Sequence, residues 1–133
     1  MAPKKGELVP RPPRKTEYEL RFATSQARKG WRDLVATMRN PMSDAWDFLT
    51  KTPTATSTAN YRLKGQLGEI VRGGRTFERW QHKPTLKGSA RIWFFVDAGT
   101  VYIEQVHTAH PNETKQLRHQ IDAFPIEHRA QFA

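Results

Sequence analysis

Cysteine is absent from the 133 residues, which excludes a disulfide framework and thiolate metal sites and fits a reducing, cytoplasmic setting. Long apolar runs are missing too. Nothing approaches the roughly 18 residues of a membrane-spanning helix, and the first residues mix charges with prolines in place of an apolar signal segment. A soluble, unexported protein is expected. The chain has no Gly-x-Ser-x-Gly, no His-Glu-x-x-His and no heptad repeat, and Gly65, Gly68, Gly73 and Gly74 fit neither a Walker loop nor G-x-G-x-x-G. Five scattered histidines without cysteines do not make a zinc site, so neither a metal nor a cofactor is expected.

What the chain has in excess is positive charge. A formal net charge of +9 and an isoelectric point near 10.3 call for a polyanionic partner, nucleic acid first. The charge is unevenly placed: residues 1–15 carry five basic side chains and one acidic, residues 60–91 eight and two, residues 92–133 three and five. The first group sits among Pro3, Pro10, Pro12 and Pro13, with only Leu8 and Val9 as sizeable apolar residues. Such a segment cannot offset the cost of ordering, so 1–15 reads as a flexible basic arm that reaches for phosphates without specifying a sequence. The second group lies inside the folded part and is the expected RNA surface, with Lys64, Arg79, Lys83 and Lys87 as backbone contacts.

A single domain over 16–124 follows the arm. Tyr18, Leu20 and Phe22 alternate with polar residues and predict a short strand. Ser25 offers an N-cap to a helix with Trp31, Leu34, Val35 and Met38 at the spacing of one face, weakened by Gly30. Asn40-Pro41 ends that helix and starts another, with Ala45, Phe48 and Leu49 buried and Pro53 as its stop. Thr54 to Asn60 reads as a loop, and Thr76 to Lys83 alternates as one strand.

The strongest pattern is the pair of runs Arg91–Val96 and Val101–His107 around Asp97-Ala98-Gly99-Thr100, whose glycine can take the positive φ of a tight hairpin turn. Pairing Val96 with Val101 puts Ile92, Phe94, Val96, Val101 and Ile103 on a core face. Arg91, Trp93, Phe95, Tyr102 and Glu104 fall on the other, which has the composition of a polar groove. After Pro111, Asn112 caps a short C-terminal helix with Leu117, Ile121 and Phe124 on one stripe, and 125–133 reads as frayed. The expected fold class is α+β: an antiparallel twisted sheet with an N-terminal strand and a two-helix hairpin on one face.

Arg62-Leu63-Lys64-Gly65 ahead of a three-stranded meander, a strand opening Ala90-Arg91-Ile92-Trp93-Phe94-Phe95, and a histidine-bearing segment after the last strand carry a resemblance. In that order, after two helices, they resemble the RelE/ParE superfamily of bacterial type II toxins over about residues 17–112. The resemblance implies a toxin wrapped and neutralised by a cognate antitoxin protein. RelE-like members are endoribonucleases, or mRNA interferases, that cleave mRNA, usually at the ribosome; ParE-like members poison DNA gyrase. The RelE-like branch is the first reading.

Metal-free RNA cleavage needs a base for the 2′-hydroxyl, cations for the charge that develops on the phosphate, and an acid for the leaving 5′-oxygen. Arg91 stands where the family carries its phosphate-binding arginine, and His107 and His110 fall where its nucleases place proton-transfer side chains. Strict alternation puts His107 on the Ile103 side, so it reaches the groove only if the strand ends or bulges before it; His110, beside Pro111, escapes that restriction. Glu78 and His82 share one side of their strand with Trp80, and Arg79 shares the other with Phe77 and Gln81, so one set or the other lines the groove. Trp80, Trp93 and Tyr102 are candidates for stacking on bases. The basic N-terminal extension and the histidine pair depart from many ribosome-dependent members. The remaining readings are a gyrase-directed toxin of the same fold and a non-catalytic basic RNA-binding module.

Overall fold

Apolar residues at every second position from Ile92 to Ile103 build the central hairpin, and the rest of the chain packs around it. The computed structural model describes residues 6–109; the expected C-terminal helix, His110 and the 125–133 segment lie outside them. In chain order the elements are β1 (Glu19–Phe22), α1 (Ser25–Thr37), α2 (Arg39–Lys51), β2 (Asn60–Arg62), a 3-10 turn (Gly65–Gly68), β3 (Glu69–Arg72), β4 (Arg75–Glu78), β5 (Trp80–His82), β6 (Arg91–Asp97) and β7 (Thr100–His107). The class is α+β. Five strands form a mixed sheet in the order β1-β7-β6-β5-β2, and β3 and β4 form a separate two-stranded ribbon.

Val96 does pair with Val101, and Ile92, Phe94, Val101 and Ile103 are buried on the helix side, with Val96 partly buried beside them. The positive φ of the turn falls on Ala98, at 53°, and not on the glycine after it. Two further expectations change. The sheet is not antiparallel throughout, because β1 runs parallel to β7, Leu20 against Val101 and Phe22 against Ile103. A tight turn forces neighbouring strands to reverse, as it does between β6 and β7, but no turn joins β1 to β7 and the helical hairpin lies between them in the chain. The 76–83 run is also not one strand. It breaks at Arg79, where the backbone N–H bonds Gly68 and the carbonyl takes Leu63 N–H, so β4 pairs with β3 while β5 joins the main sheet.

Both helices cover one face of the sheet through the predicted stripes, with Leu34, Ala45 and Leu49 at their centre, joined by Ala27 and Met42. The N-cap of α1 is Thr24, one residue before the expected Ser25; its hydroxyl oxygen accepts from Ala27 N–H at 3.0 Å and its hydrogen goes to the Glu104 carbonyl at 2.7 Å. Beyond Ile103, where β1 stops, the edge of β7 is completed by a side chain. The Gln26 amide donates to the Val106 carbonyl and accepts from the Val106 N–H, as a peptide group of a neighbouring strand would. Gly30 permits this approach: a Cβ there would stand 2.5 Å from the Val106 carbonyl oxygen.

Candidate functional site

One irregularity decides what the outer face of the sheet displays. Trp93 pairs with Gln105 but Phe94 pairs with Ile103, so Glu104 is an extra residue, a β-bulge. The bulge shifts the alternation by one. Val106 then takes the core position, and His107 emerges on the outer face directly opposite Arg91. Cβ atoms so opposed are about 4.5–5.5 Å apart. The condition under which His107 could reach the groove, a bulge before it, is met.

Two rows of side chains cross this face. In register across four strands stand Tyr61, Gln81, Trp93 and Gln105; one pleat repeat further on Arg91 stands opposite His107. The first row is hydrogen bonded. Indole N–H can only donate, so Trp93 Nε1 at 2.8 Å fixes the Gln81 oxygen toward it, and the Gln81 nitrogen donates to the Tyr61 hydroxyl at 2.7 Å. The Tyr61 hydrogen is therefore aimed elsewhere, and Lys83 Nζ lies 5.3 Å from the Tyr61 ring centroid. Trp93 itself is 1% exposed: Arg79 lies over its ring at 5.3 Å and the His107 ring meets it edge-on at 5.0 Å. It is a floor, and the expectation that it stacks on a base is withdrawn.

Beside the rows lies a largely buried ion pair. Arg79 donates from Nε to one Glu104 oxygen at 2.8 Å and from Nη2 to the other at 2.7 Å, with the glutamate buried and the arginine partly so. Its charge is spent, so Arg79 is not an RNA-backbone contact. Gln105 Nε2 donates to Glu104 Oε1 at 3.2 Å, and Gln105 Oε1 meets His107 Nε2 at 2.9 Å.

Searches of protein-family models, curated proteins and solved structures find no match to this chain.

The remaining candidates divide by geometry. Arg91 is half-buried and turns Nη1 onto the carbonyls of Gly88 (2.9 Å) and Ala90 (2.7 Å), which leaves Nε and Nη2 for a ligand; no described carboxylate pairs with it. Lys83 follows the last residue of β5 with its Nζ by the Tyr61 ring, and Lys64 and Lys87 are exposed on loops. Glu78 is on the separate ribbon, exposed and paired with Arg62 at 2.9 Å, so the break at Arg79 removes it from the row it was expected to share with His82. His82 faces the core. It stacks on Phe48 at 5.0 Å, burial lowers its pKa to about 4, and Trp80 is likewise buried, stacked on Phe94. The set lining the groove is thus Arg79 with Gln81. Sequence reading missed Tyr61 and Gln105 because neutral side chains carry no charge signal, and it named Gln81 and Glu104 only as residues of a face.

Proposed function

We propose that the chain is the toxin of a type II toxin–antitoxin pair, of the RelE-like branch, acting as a metal-independent endoribonuclease on mRNA. The observation that carries this reading is the bulge that sets His107 opposite Arg91 on the outer face of the sheet. Support also comes from the order β1-α1-α2 ahead of a β5-β6-β7 meander. In this reading Arg91 binds the non-bridging phosphate oxygens, for which guanidinium geometry is suited. The 2′-oxygen attacks phosphorus, its proton passes to a histidine base, the P–O5′ bond breaks, and the 5′-oxygen takes a proton from the acid. The products are a 2′,3′-cyclic phosphate and a 5′-hydroxyl. His107 and His110 are the proposed proton-transfer pair. The antitoxin would take the cleft of about 360 Å³ beside the open edge of β1, where Arg21, Arg28 and Arg32 surround Trp31 and Trp46 and suit an acidic segment with apolar anchors.

Expression without the antitoxin is expected to arrest bacterial growth and fragment mRNA. Arg91→Ala should relieve the arrest in a protein that melts as wild type does, with cleavage slowed about 10²–10³-fold, the usual loss for one donor to developing charge. Arrest with intact mRNA and double-strand DNA breaks would move the assignment to a gyrase-directed toxin. Salt-sensitive RNA binding with no cleavage would leave a non-catalytic binding module.

A further inference from the structure

The bulge does more than turn His107 outward, because it starts a chain of compelled hydrogen-bond roles that ends on that ring. Arg79 has only donors, and both Glu104 oxygens accept from it. A carboxylate so held can only accept from Gln105 as well, so the atom 3.2 Å from Glu104 Oε1 is the amide nitrogen and not the oxygen. The Gln105 oxygen is thereby turned toward His107, and the ring nitrogen 2.9 Å away, Nε2, must carry hydrogen. The Trp93 edge contact at 68° between ring planes fixes the plane in which the imidazole lies.

We propose that Gln105 is a positioning residue that holds His107 in the Nε2-protonated tautomer, so that the nitrogen which gains and gives up the catalytic proton is Nδ1. The catalytic meaning of this lock rests on the endoribonuclease reading; the lock itself does not. Among the described residues the charged groups near the ring include Arg91 from β6, Arg79 and Glu104 beside Trp93, and Lys29 and Asp33 of α1, which border with His107 a cleft of about 330 Å³. Gln105 contacts the ring nitrogen without bringing a charge of its own. The oppositely charged pair beneath it fixes its orientation at low electrostatic cost.

The test is nitrogen-15 NMR of the His107 ring in the full-length protein without RNA, above the ring's titration. Wild type should show one tautomer, with Nε2 bearing hydrogen. Gln105→Leu, of similar volume but without an acceptor, should move both nitrogen signals toward those of an exchanging ring. Hydrogen on Nδ1 in wild type, a finding that needs no variant to fold, would overturn the proposal. So would identical spectra for wild type and Gln105→Leu. In single-turnover cleavage, Gln105→Leu should slow the chemical step tenfold or more and alter the pH–rate profile, at unchanged affinity for a 2′-deoxy RNA that cannot be cut. An unchanged profile would overturn the positioning role. If wild type cleaves no RNA yet the ring spectra behave as stated, the nuclease reading fails and the lock stands. If wild type cleaves and the spectra do not respond, the lock fails and the nuclease reading stands.

Discussion

At His82 the imidazole is held by a bond whose direction can be worked out. Asn60 donates its amide hydrogens to the Pro53 carbonyl (2.8 Å) and the Ala55 carbonyl (2.9 Å), so its oxygen faces His82 Nδ1 at 3.1 Å and that nitrogen is the donor. Burial drops the folded pKa from 6.5 to about 4, so between those values the unfolded chain binds the proton that the folded chain refuses. Stability is therefore full above about pH 6.5, falls as the pH is lowered toward about 4, and levels off below, a loss of order 3 kcal/mol. Urea unfolding at pH 7.5 and at pH 4.5 should show most of that difference, and His82→Phe should abolish it. Equal stability of wild type at the two pH values would contradict a buried neutral His82. The Glu17 carboxyl, held down to about 2 chiefly by its hydrogen bonds from Arg11, loses its contribution only at lower pH, so the two windows separate.

At the level of elements, α1 and β7 are tied most closely at Gly30, where helix propensity and tertiary packing oppose each other. Alanine is worth about 1 kcal/mol more than glycine inside an isolated helix. Here its Cβ would meet a backbone carbonyl at 2.5 Å and the Val106 Cβ at 2.8 Å, neither of which is the free end of a side chain. Overpacking of that kind costs about 1–3 kcal/mol, so Gly30→Ala should lower Tm despite the better helix former, as thermal unfolding can show. A raised Tm would mean that α1 and β7 do not meet here. The same seam shows what the sequence could and could not disclose. The helices and the central hairpin were legible because Trp31, Leu34 and Val35, or Ile92 and Phe94, repeat at the period of their element. The bulge was not, since an extra glutamate in a strand looks locally like an ordinary outward residue, and its partner Arg79 is 25 positions away on a break that continuous strand propensity from Thr76 to Lys83 conceals. His107 changed face on that account, and Glu78 left the groove.

Across the whole molecule the positive charge is less available than composition suggests. Of the eight cations in 60–91, Arg62, Arg75 and Arg79 are paired with Glu78, Asp97 and Glu104, which leaves Lys64, Arg72, Lys83, Lys87 and Arg91 without carboxylate partners among the described residues. At the other end Arg11 lies 4.8 Å from the Trp46 ring centroid and bonds Glu17, so part of the arm's charge is also engaged. A protein lacking residues 1–15 is accordingly expected to keep salt-dependent RNA binding, with a log–log salt slope set by the few cations left, about 0.7 per single-strand phosphate neutralised. Filter binding of a short RNA across a salt series measures it. Loss of all salt-sensitive binding on truncation would place the RNA surface on the arm instead. No helix among the described residues is long and apolar enough to cross a membrane.

The pairing of β1 with β7 has a consequence for the order in which the chain can acquire structure. Glu19 finds its partner at Thr100, and Thr24 and Gln26 find theirs at Glu104 and Val106, so the first strand and the first helix cap wait for contacts about 80 residues downstream. Contacts so distant in sequence form late and slow folding. During synthesis the two helices therefore emerge with their apolar sides uncovered, and Arg91 precedes the histidine that will stand across from it. The outer face that carries Arg91 and His107 is therefore complete in a growing chain only after β7 has been made and released from the tunnel.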